Sequence, residues 1–335
     1  MGPDPQCTYV TRGWGVHDER WTAALRSNGF TVFDLSLERD GLSIEDARYK
    51  MLDSTDPVLA GPLDITRGLI GVDAPLFGLS WGFDLIEADE HNDALSWMTD
   101  LAGLIVDSRN TRDIALRAGV DQTRIHTIPW GVDLRTFTPE GPRTNLAVLG
   151  VPRNRVVVLS LRAHEHVYRV GDIITGFART AAEFPDAHLV IGNSGSLRAE
   201  LQQFTESLGL ESKVTFIGTQ PEQELPELLR AADVYVTASE VDGSSVTLLQ
   251  AMACKTPVLA SSTPGNCEWI EPGVTGSLFE VGDPSDLSSA LAATLATLGS
   301  QTIKAISTEA RQRVQQSANW DRNSAQLAAI LLPDH

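Results

Sequence analysis

The chain has 335 residues, of which 42% are hydrophobic and 21% are charged, which is typical of a globular protein with enough residues for two hydrophobic cores. Its 44 acidic and 26 basic residues give a formal net charge of −18. This excess of acid argues against a nucleic acid or an anionic membrane as partner, since both require clustered Lys and Arg. The acid is concentrated in residues 51–100, which carry ten Asp and Glu against one basic residue, Arg67.

The sequence also indicates a cytoplasmic protein. No run of residues approaches the roughly 18 apolar residues of a membrane-spanning helix, and the first six residues have neither the basic nor the apolar region of a signal peptide. We therefore expect no stable membrane insertion. The three cysteines, Cys7, Cys254 and Cys267, lack metal-ligand spacing, which predicts three reduced thiols.

Apolar runs of strand length alternate with helical patterns along the chain, which is typical of parallel α/β sheets. The predicted strands of the first half are residues 8–11, 31–37, 76–81, 104–107 and 125–128. Prolines and glycines cluster between residues 129 and 142, which predicts a linker. The predicted strands of the second half are residues 155–162, 188–192, 214–218, 234–238 and 258–261. This pattern predicts two doubly wound domains joined near residue 140.

Polar or glycine-rich loops follow all five strands predicted in the second half. In open α/β sheets, ligands bind outside the carboxyl ends of the strands, so these loops are expected to converge on one rim. The loops contain Arg162, residues 192–195, Gly218 with Thr219, residues 242–244 and residues 264–266.

The most informative segment is residues 237–261, TASEVDGSSVTLLQAMACKTPVLAS. It predicts a buried strand, a polar elbow, an uncharged helix and a second strand. A helix that starts at an exposed elbow presents unpaired N–H groups and the positive end of its dipole, which together favour an anion. Asp242 lies on the elbow and Gln250 lies inside the helix. A carboxylate beside an anion site predicts a ligand that is both phosphorylated and hydroxylated.

The same segment resembles the family 4 glycosyltransferases, whose signature is an acidic residue, seven others, and a Glu followed by Ala-Met-Ala. Here the two positions are Asp242 and Gln250. The resemblance is strongest over residues 155–284, good over residues 105–137, and weaker before residue 76. It implies the GT-B fold, in which two Rossmann-like, doubly wound parallel-sheet domains face each other across a cleft.

The implied domains are an acceptor-side domain, residues 1–140, and a nucleotide-sugar domain, residues 145–315. A closing helix in residues 316–335 is expected to cross back to the first domain.

The resemblance also implies roles for the donor-side residues. Asp242 is expected to contact hydroxyls of the sugar, and Gln250 to bond the ribose, more weakly than a carboxylate would. Arg162 is expected to neutralise the leaving diphosphate. The other implied donor-binding residues present backbone groups to the sugar or the diphosphate, or line the rim: Gly243, Ser244, Ser245, Val246, Thr247, Gly192, Asn193, Gly218 and Thr219.

Two departures from the family pattern bear on the site. The family's phosphate-binding Lys is replaced by Tyr168, beside Arg169. Either Arg169 substitutes for it, or Arg162 and the backbone hold the phosphate alone. In addition, Lys255 replaces the glycine expected at a left-handed helix C-cap, at a cost of about 1 kcal/mol.

In the first half, residues 13–17 match the family's glycine loop and residues 80–84 match a loop often written His-Gly-Ser-Asp, with Trp81 in place of the His. The implied acceptor-side residues are Gly15, His17, Trp81 and Asp84. Each side chain has a structural alternative: a helix cap or surface group for His17, core packing for Trp81, and a cap of the following turn for Asp84. The acidic residues 87–91 are interpreted as a solvated helix start rather than a metal site.

The resemblance therefore implies a retaining, metal-independent transferase without a permanently bound cofactor. Its co-substrate would be a UDP- or GDP-linked sugar, and its acceptor a small soluble molecule with a hydroxyl group. A natural product or a cationic sugar would suit the acidic first half. The alternative is a sugar-nucleotide-binding protein of the same fold with weak activity or none, because Gln250 and the missing Lys both weaken the expected site.

Overall fold

A computed structural model describes residues 4–52 and 54–332. The chain forms two compact units, Met1–Trp130 with Trp320–His335, and Gly131–Asn319. Each unit contains one six-stranded sheet whose strands all run parallel. The predicted α/β class with two doubly wound sheets is confirmed.

The sheet of the first unit has the order β2-β1-β3-β4-β5-β6. Its strands are β1 Gln6–Thr11, β2 Thr31–Ser36, β3 Val58–Gly61, β4 Leu76–Leu79, β5 Gly103–Val106 and β6 Ile125–Thr127. The helices between them are α1 Val16–Ser27, α2 Leu37–Asp40, α3 Ile44–Lys50, α4 Leu63–Gly68, α5 Phe83–Glu90 and α6 Arg109–Arg117.

The sheet of the second unit has the order β12-β11-β10-β7-β8-β9. Its strands are β7 Val156–Ser160, β8 Ala187–Gly192, β9 Val214–Gly218, β10 Val234–Thr237, β11 Val258–Ser261 and β12 Ser277–Phe279. The helices are α7 Val170–Glu183, α8 Arg198–Ser207, α9 Leu225–Ala231, α10 Val246–Ala253, α11 Pro264–Trp269, α12 Pro284–Ala296 and α13 Gln301–Ser317. The last helix, α14 Trp320–Leu331, belongs to the first unit.

Helix α14 packs against α1 through aromatic side chains. The ring centroids of Trp21 and Trp320 lie 4.8 Å apart, and the guanidinium of Arg20 lies 3.9 Å from the Trp320 ring centroid. Large aromatic surfaces contribute strongly to packing energy, and a cation over an indole face adds to it. These contacts hold the chain's last helix to its first.

All ten strands predicted from the sequence are present, and their ends differ from the predicted ones by at most two residues. Strands β3 and β12 were not predicted from the sequence. Strand β3 has four residues between two prolines, and β12 has three residues at the sheet edge. Runs this short give no readable periodicity, and flanking prolines predict turns rather than strands.

The first unit ends at Trp130, whereas the sequence analysis placed the domain boundary near residue 140. Arg230 explains the difference. Its Nε donates to the carbonyl oxygen of Pro142 at 2.7 Å, and its Nη1 donates to that of Thr138 at 3.0 Å. The turn-rich segment is therefore bound into the second unit. The closing segment starts later than predicted, at Trp320 instead of residue 316.

Within residues 4–52 and 54–332, no helix combines the length and the apolar character that crossing a lipid bilayer requires.

Lys255 has the left-handed backbone conformation predicted for it, with φ of 59°. The N–H of Lys255 donates to the carbonyl of Met252 at 3.1 Å, and the N–H of Thr256 donates to that of Ala251 at 3.0 Å. These two bonds form a Schellman motif, in which the residue at this position is usually glycine. Helix α10 is therefore followed by a residue, Lys255, whose Cβ disfavours the left-handed backbone conformation that it adopts.

We expect Lys255→Gly to raise the free energy of unfolding by about 0.5–1 kcal/mol, because glycine adopts positive φ without steric cost. The measurement is chemical denaturation of the purified variant. Lys255→Ala is the matched control, since it removes the charge but keeps a Cβ in the left-handed conformation. Equal stabilisation by both substitutions would contradict backbone strain as the cause.

Candidate functional site

The order of the second sheet reverses between β7 and β10, which lie side by side although β8 and β9 separate them in sequence. A crevice at such a switch point, outside the carboxyl ends of the strands, is where open α/β sheets bind ligands. Arg162 follows β7 and Asp242 follows β10. The two residues with the most prominent predicted roles therefore lie at the switch point of this sheet.

Arg162 and Asp242 form a buried ion pair. Nη2 of Arg162 lies 2.9 Å from Oδ2 of Asp242, and the side chains are 10% and 5% exposed. Burial alone would lower the pKa of Arg162, but the effects of Asp242, Tyr235 and Tyr168 together outweigh burial and raise the pKa. The guanidinium therefore stays charged. Removing one member of such a pair leaves an uncompensated charge in a medium that solvates it poorly.

Three features fix the guanidinium of Arg162. Besides its contact with Asp242, its Nη1 donates to Oγ of Ser245 at 2.9 Å, and its central carbon lies 4.2 Å from the ring centroid of Tyr168. Its Nε is buried and has no hydrogen-bond partner among the described residues. The charged guanidinium of Arg162 is thus held in place, and its Nε–H is available to a ligand.

Ser245 is the residue that precedes α10, yet its side chain makes no capping hydrogen bond to the described first turn. Its Oγ accepts from Arg162 instead. The first turn carries no acidic residue. Because the first N–H groups of a helix have no intrahelical acceptors, an uncapped start leaves them available to an anion. The start of α10 thus has the properties predicted for the diphosphate position of Val246 and Thr247.

Several buried polar atoms near these residues lack partners among the described residues. Oδ2 of Asp242 is close to Arg162 but not aligned for a hydrogen bond, and Oε1 of Gln250 and Oδ1 of Asn266 have no partner. The three side chains are 5%, 5% and 0% exposed. Buried polar groups are nearly always hydrogen-bonded, to protein, water or ligand. A cluster of unpaired ones therefore indicates a site that a polar ligand completes.

The loop after β11 lies against the elbow. A Cβ placed on Gly265 would be 2.1 Å from the carbonyl oxygen of Asp242 and 2.2 Å from that of Gly243. Only glycine allows this approach. The loops after β10 and β11 thus converge, as the sequence analysis predicted.

The loops after β8 and β9 also meet. The N–H of Asn193 donates to the carbonyl of Gly218 at 2.7 Å, and Oγ1 of Thr219 donates to Oδ1 of Asn193 at 3.4 Å. Nδ2 of Asn193 reaches the carbonyl of Leu161 at 3.4 Å, next to Arg162. The structure thus brings Gly192, Asn193, Gly218 and Thr219 together beside Arg162. Their contacts with a donor stay predictions.

His164 also lies in this region, although the sequence did not predict it as a site residue. It is fully buried, its N–H donates to the carbonyl of Ser194 at 2.9 Å, and its Nε2 lies 3.1 Å from the carbonyl oxygen of Gly192. Since a carbonyl only accepts, Nε2 carries the proton. Burial lowers the pKa of His164, which favours this neutral form. His164 therefore joins the loop of Arg162 to the loop of Asn193, and no motif spacing in LRAHEHVYRV indicates this.

Arg169 points toward carboxylates. Its Nε donates to Oδ2 of Asp172 at 2.6 Å, and its Nη1 to Oε2 of Glu240 at 3.3 Å. Tyr168, not Arg169, lies against Arg162. Of the two alternatives for the missing Lys, this geometry favours Arg162 and the backbone acting alone.

The acceptor-side residues lie in the first unit. Gly15 precedes α1, and its N–H donates to Oδ2 of Asp18 at 2.8 Å. The ring of His17 lies 4.3 Å from that of Trp130 and 6.2 Å from that of Trp81, centroid to centroid. Burial, and then the charge of Arg20, lower the pKa of His17. The structure brings His17 and Trp81 into one aromatic cluster, and their contact with an acceptor stays a prediction.

Asp84 has the contacts of a structural cap. Its Oδ1 accepts hydrogen bonds from Oγ of Ser80 at 2.7 Å, the N–H of Trp81 at 3.0 Å and the N–H of Leu85 at 2.8 Å. Its Oδ2 accepts from the N–H of Leu63 at 2.9 Å. Burial raises the pKa of Asp84 against these bonds. The two carboxylate oxygens of Asp84 thus bind the starts of α4 and α5. Its contact with an acceptor stays a prediction, and the cap of the turn is the structural alternative.

Comparisons with known proteins bear on the family and the fold of this chain. Residues 143–313 match the family described as Glycosyl transferases group 1. A D-inositol 3-phosphate glycosyltransferase of Mycobacterium sp. (strain JLS) is 34% identical over 172 residues, which is 50% of this chain and 38% of that protein. Its counterpart in Mycobacterium tuberculosis (strain ATCC 25177 / H37Ra) is 32% identical over 183 residues, 52% of this chain and 37% of that protein. The match thus spans less than half the length of these relatives.

Solved structures share the fold at lower identity. Anabaena Alr3699/HepE in complex with UDP and glucose has a TM-score of 0.80 and 18% identity, covering 97% of this chain and 98% of that one. A sucrose-phosphate synthase from Thermosynechococcus elongatus has the same TM-score, identity and coverage. The predicted GT-B fold is confirmed.

We expect the pair of Arg162 and Asp242 to be strongly coupled in stability. Arg162→Gln and Asp242→Asn should each lower the free energy of unfolding by about 3 kcal/mol, because each leaves a buried charge unpaired. The double variant should lose less than the sum of the two by more than about 1 kcal/mol. The measurement is chemical denaturation of the four proteins.

The exposed pair of Arg155 and Asp186, with side chains 35% and 77% exposed, is the matched control. Solvent screens such pairs, so its coupling should stay below about 1 kcal/mol. A coupling at Arg162 no larger than at this surface pair would show that the buried pair is not a unit.

Proposed function

Since the chain belongs to the family of Glycosyl transferases group 1, we propose that it transfers a sugar, with retention, from a nucleoside diphosphate sugar to a hydroxyl group of a small acceptor. The observation that carries this proposal is the buried pair of Arg162 and Asp242 beside the uncapped start of α10. UDP is the nucleotide we favour over GDP, because HepE, which shares the fold, was solved with UDP and with UDP-glucose. The free cysteines are compatible with a place in the cytoplasm.

The donor would bind through its phosphates and its hydroxyls. The diphosphate would accept from the N–H groups of Val246 and Thr247 and from Nε of Arg162, which has no described partner. Asp242 would accept from sugar hydroxyls, and Oε1 of Gln250 would accept from a ribose hydroxyl. Nε of Arg162, Oδ2 of Asp242 and Oε1 of Gln250 are buried and lack a hydrogen-bond partner among the described residues, so a ligand with matching groups would complete their hydrogen bonding.

The reaction would proceed with stabilisation of the leaving group. The bond between the anomeric carbon and the diphosphate oxygen breaks, while the acceptor oxygen bonds to that carbon on the same face. The acceptor's proton passes to the departing phosphate oxygen. Arg162 and the dipole of α10 would stabilise the charge that develops on the diphosphate, in positions that need no rearrangement. This account requires no metal ion.

The acceptor is proposed to be small and to carry positive charge. A surface cavity of about 360 Å³ in the first unit is lined by four carboxylates and one arginine, together with a histidine and an indole: Asp64, Asp84, Glu87, Asp93, Arg67, His91 and Trp97. Carboxylates beside an indole favour a cationic, ring-shaped molecule such as an aminosugar.

The second candidate is a sugar-nucleotide-binding protein with weak activity or none. Gln250 in place of a carboxylate and Tyr168 in place of the phosphate-binding Lys favour it. Incubation with UDP-glucose separates the two, because a transferase that lacks its acceptor hydrolyses the donor slowly. Binding of UDP-glucose with neither hydrolysis nor transfer would favour the binding protein, and binding of no sugar nucleotide would refute both.

We expect Arg162→Ala to lower the turnover of UDP-glucose at least a hundredfold, on the order of 3 kcal/mol of transition-state stabilisation, because an anion-stabilising donor is lost. Donor hydrolysis is measured by release of UDP. Arg155→Ala, at the opposite end of β7, is the matched control and should leave turnover unchanged. Near-wild-type turnover in Arg162→Ala would remove Arg162 from the mechanism.

We expect Gln250→Glu to bind UDP as tightly as the wild type or more tightly, because a carboxylate bonds a ribose hydroxyl more strongly than an amide. The ligand-free variant should lose about 1–3 kcal/mol of stability, since the new charge is buried. Thermal shift with and without UDP reports both effects. Gln250→Met is the control, and it should weaken UDP binding without the loss of stability. A large fall in UDP affinity in Gln250→Glu would mean that the amide itself is required.

A further inference from the structure

A cavity of the second unit lies at the end of α10, where Lys255 follows the helix. It has a volume of about 450 Å³, and it is lined by segments that include Cys254–Pro257, the start of α13 and the turn before β10. Its charged lining residues are Arg143, Arg230, Lys255, Lys304 and Asp233. Four cations and one carboxylate thus share a cavity in a chain whose net charge is −18.

One carboxylate can balance at most one of these four cations. Oδ2 of Asp233 accepts from the N–H of Val157 at 2.8 Å, and burial raises the pKa of this carboxyl, against the opposing effect of Arg143. None of the four cations forms an ion pair with a carboxylate in the part of the chain that the structure describes.

Arg230 contributes a buried charge. It is 8% exposed, and the acceptors of its Nε and Nη1 are the neutral carbonyls of Pro142 and Thr138. Hydrogen bonds to carbonyls satisfy the donors but leave the charge itself uncompensated. The positive potential of Arg230 therefore reaches the cavity.

The two lysines occupy positions that their local structure disfavours. Lys255 has φ of 59°, where glycine would fit without steric cost. Lys304 lies one turn after the start of α13, near the positive end of the dipole of a 17-residue helix, where a cation is repelled. Strained or unfavourable residues that persist together are typical of functional sites.

We propose that this cavity binds a small, multiply charged anion of the phosphate class. The volume suits a phosphate ester of a small metabolite. The lysines are the flexible contacts and Arg230 the fixed charge behind them. The site involves none of the residues proposed to bind the donor, so its occupation is independent of the proposed function.

Calorimetric titration with inorganic pyrophosphate tests the proposal on the whole protein, with and without saturating UDP. We expect a binding event that UDP does not abolish and that weakens about tenfold in Lys255→Gln/Lys304→Gln, equivalent to about 1.4 kcal/mol. Lys50→Gln, an exposed lysine of α3, is the control and should leave the affinity unchanged. Circular dichroism confirms that the variants are folded.

Two outcomes overturn the proposal. One is the absence of saturable pyrophosphate binding to the wild type. The other is binding that UDP abolishes and that the lysine substitutions do not change, which would assign it to the donor site. If UDP itself fails to bind, the proposed function is refuted. The anion-site proposal is still tested in that case by whether pyrophosphate affinity falls in Lys255→Gln/Lys304→Gln.

Lys255→Gly separates charge from backbone strain. The variant should be more stable than the wild type and yet bind pyrophosphate several-fold more weakly, because it gains a relaxed backbone and loses a contact. Unchanged affinity in this variant would remove Lys255 from the site.

Discussion

The ion pair of Arg162 and Asp242 is the interaction on which the second unit's site depends. Its partners lie 80 residues apart in sequence and meet only because β7 and β10 are neighbours in the sheet. Burying two charges costs more than a hydrophobic pair of the same size would, so stability alone does not explain their retention. The arrangement places one fixed cation and one fixed carboxylate at the switch point of the sheet, where the proposed donor would bind.

The pair also determines the state of α10. Arg162 donates to Oγ of Ser245, and this side chain makes no capping hydrogen bond to the helix. The N-terminus of α10 is left open to an anion as a result. His164 extends this organisation to the next loops, because its ring and backbone hold the carbonyls of Gly192 and Ser194. A site held by side chains this buried is rigid before any ligand arrives, which lowers the entropy that binding costs.

Much of this organisation could be predicted from the sequence, and the part that could not has a physical reason. The apolar runs predict ten strands correctly, and the segment 237–261 predicts α10 and its elbow correctly. Both predictions depend only on residues that are close together in the sequence. Strands β3 and β12 were missed because four and three residues carry too little pattern. The contact of Arg162 with Asp242, the orientation of Arg169 toward Asp172 and Glu240, and the role of His164 depend on which loops become neighbours. Sheet order decides that, and it is a property of the whole domain.

The two ends of α10 show how one short helix can serve two anions. Its uncapped first turn faces the switch point, while its last turn ends in a Schellman motif with Lys255 at the position where glycine is usual. A glycine there would relax the backbone, but it would remove one of four cations from a cavity that has a single carboxylate. The start of α10 lacks a side-chain cap, and the end of α10 has a strained backbone at Lys255. Both features leave positive charge or N–H donors unsatisfied in a strongly acidic chain, and an anionic ligand at each end is the simplest common reason for them.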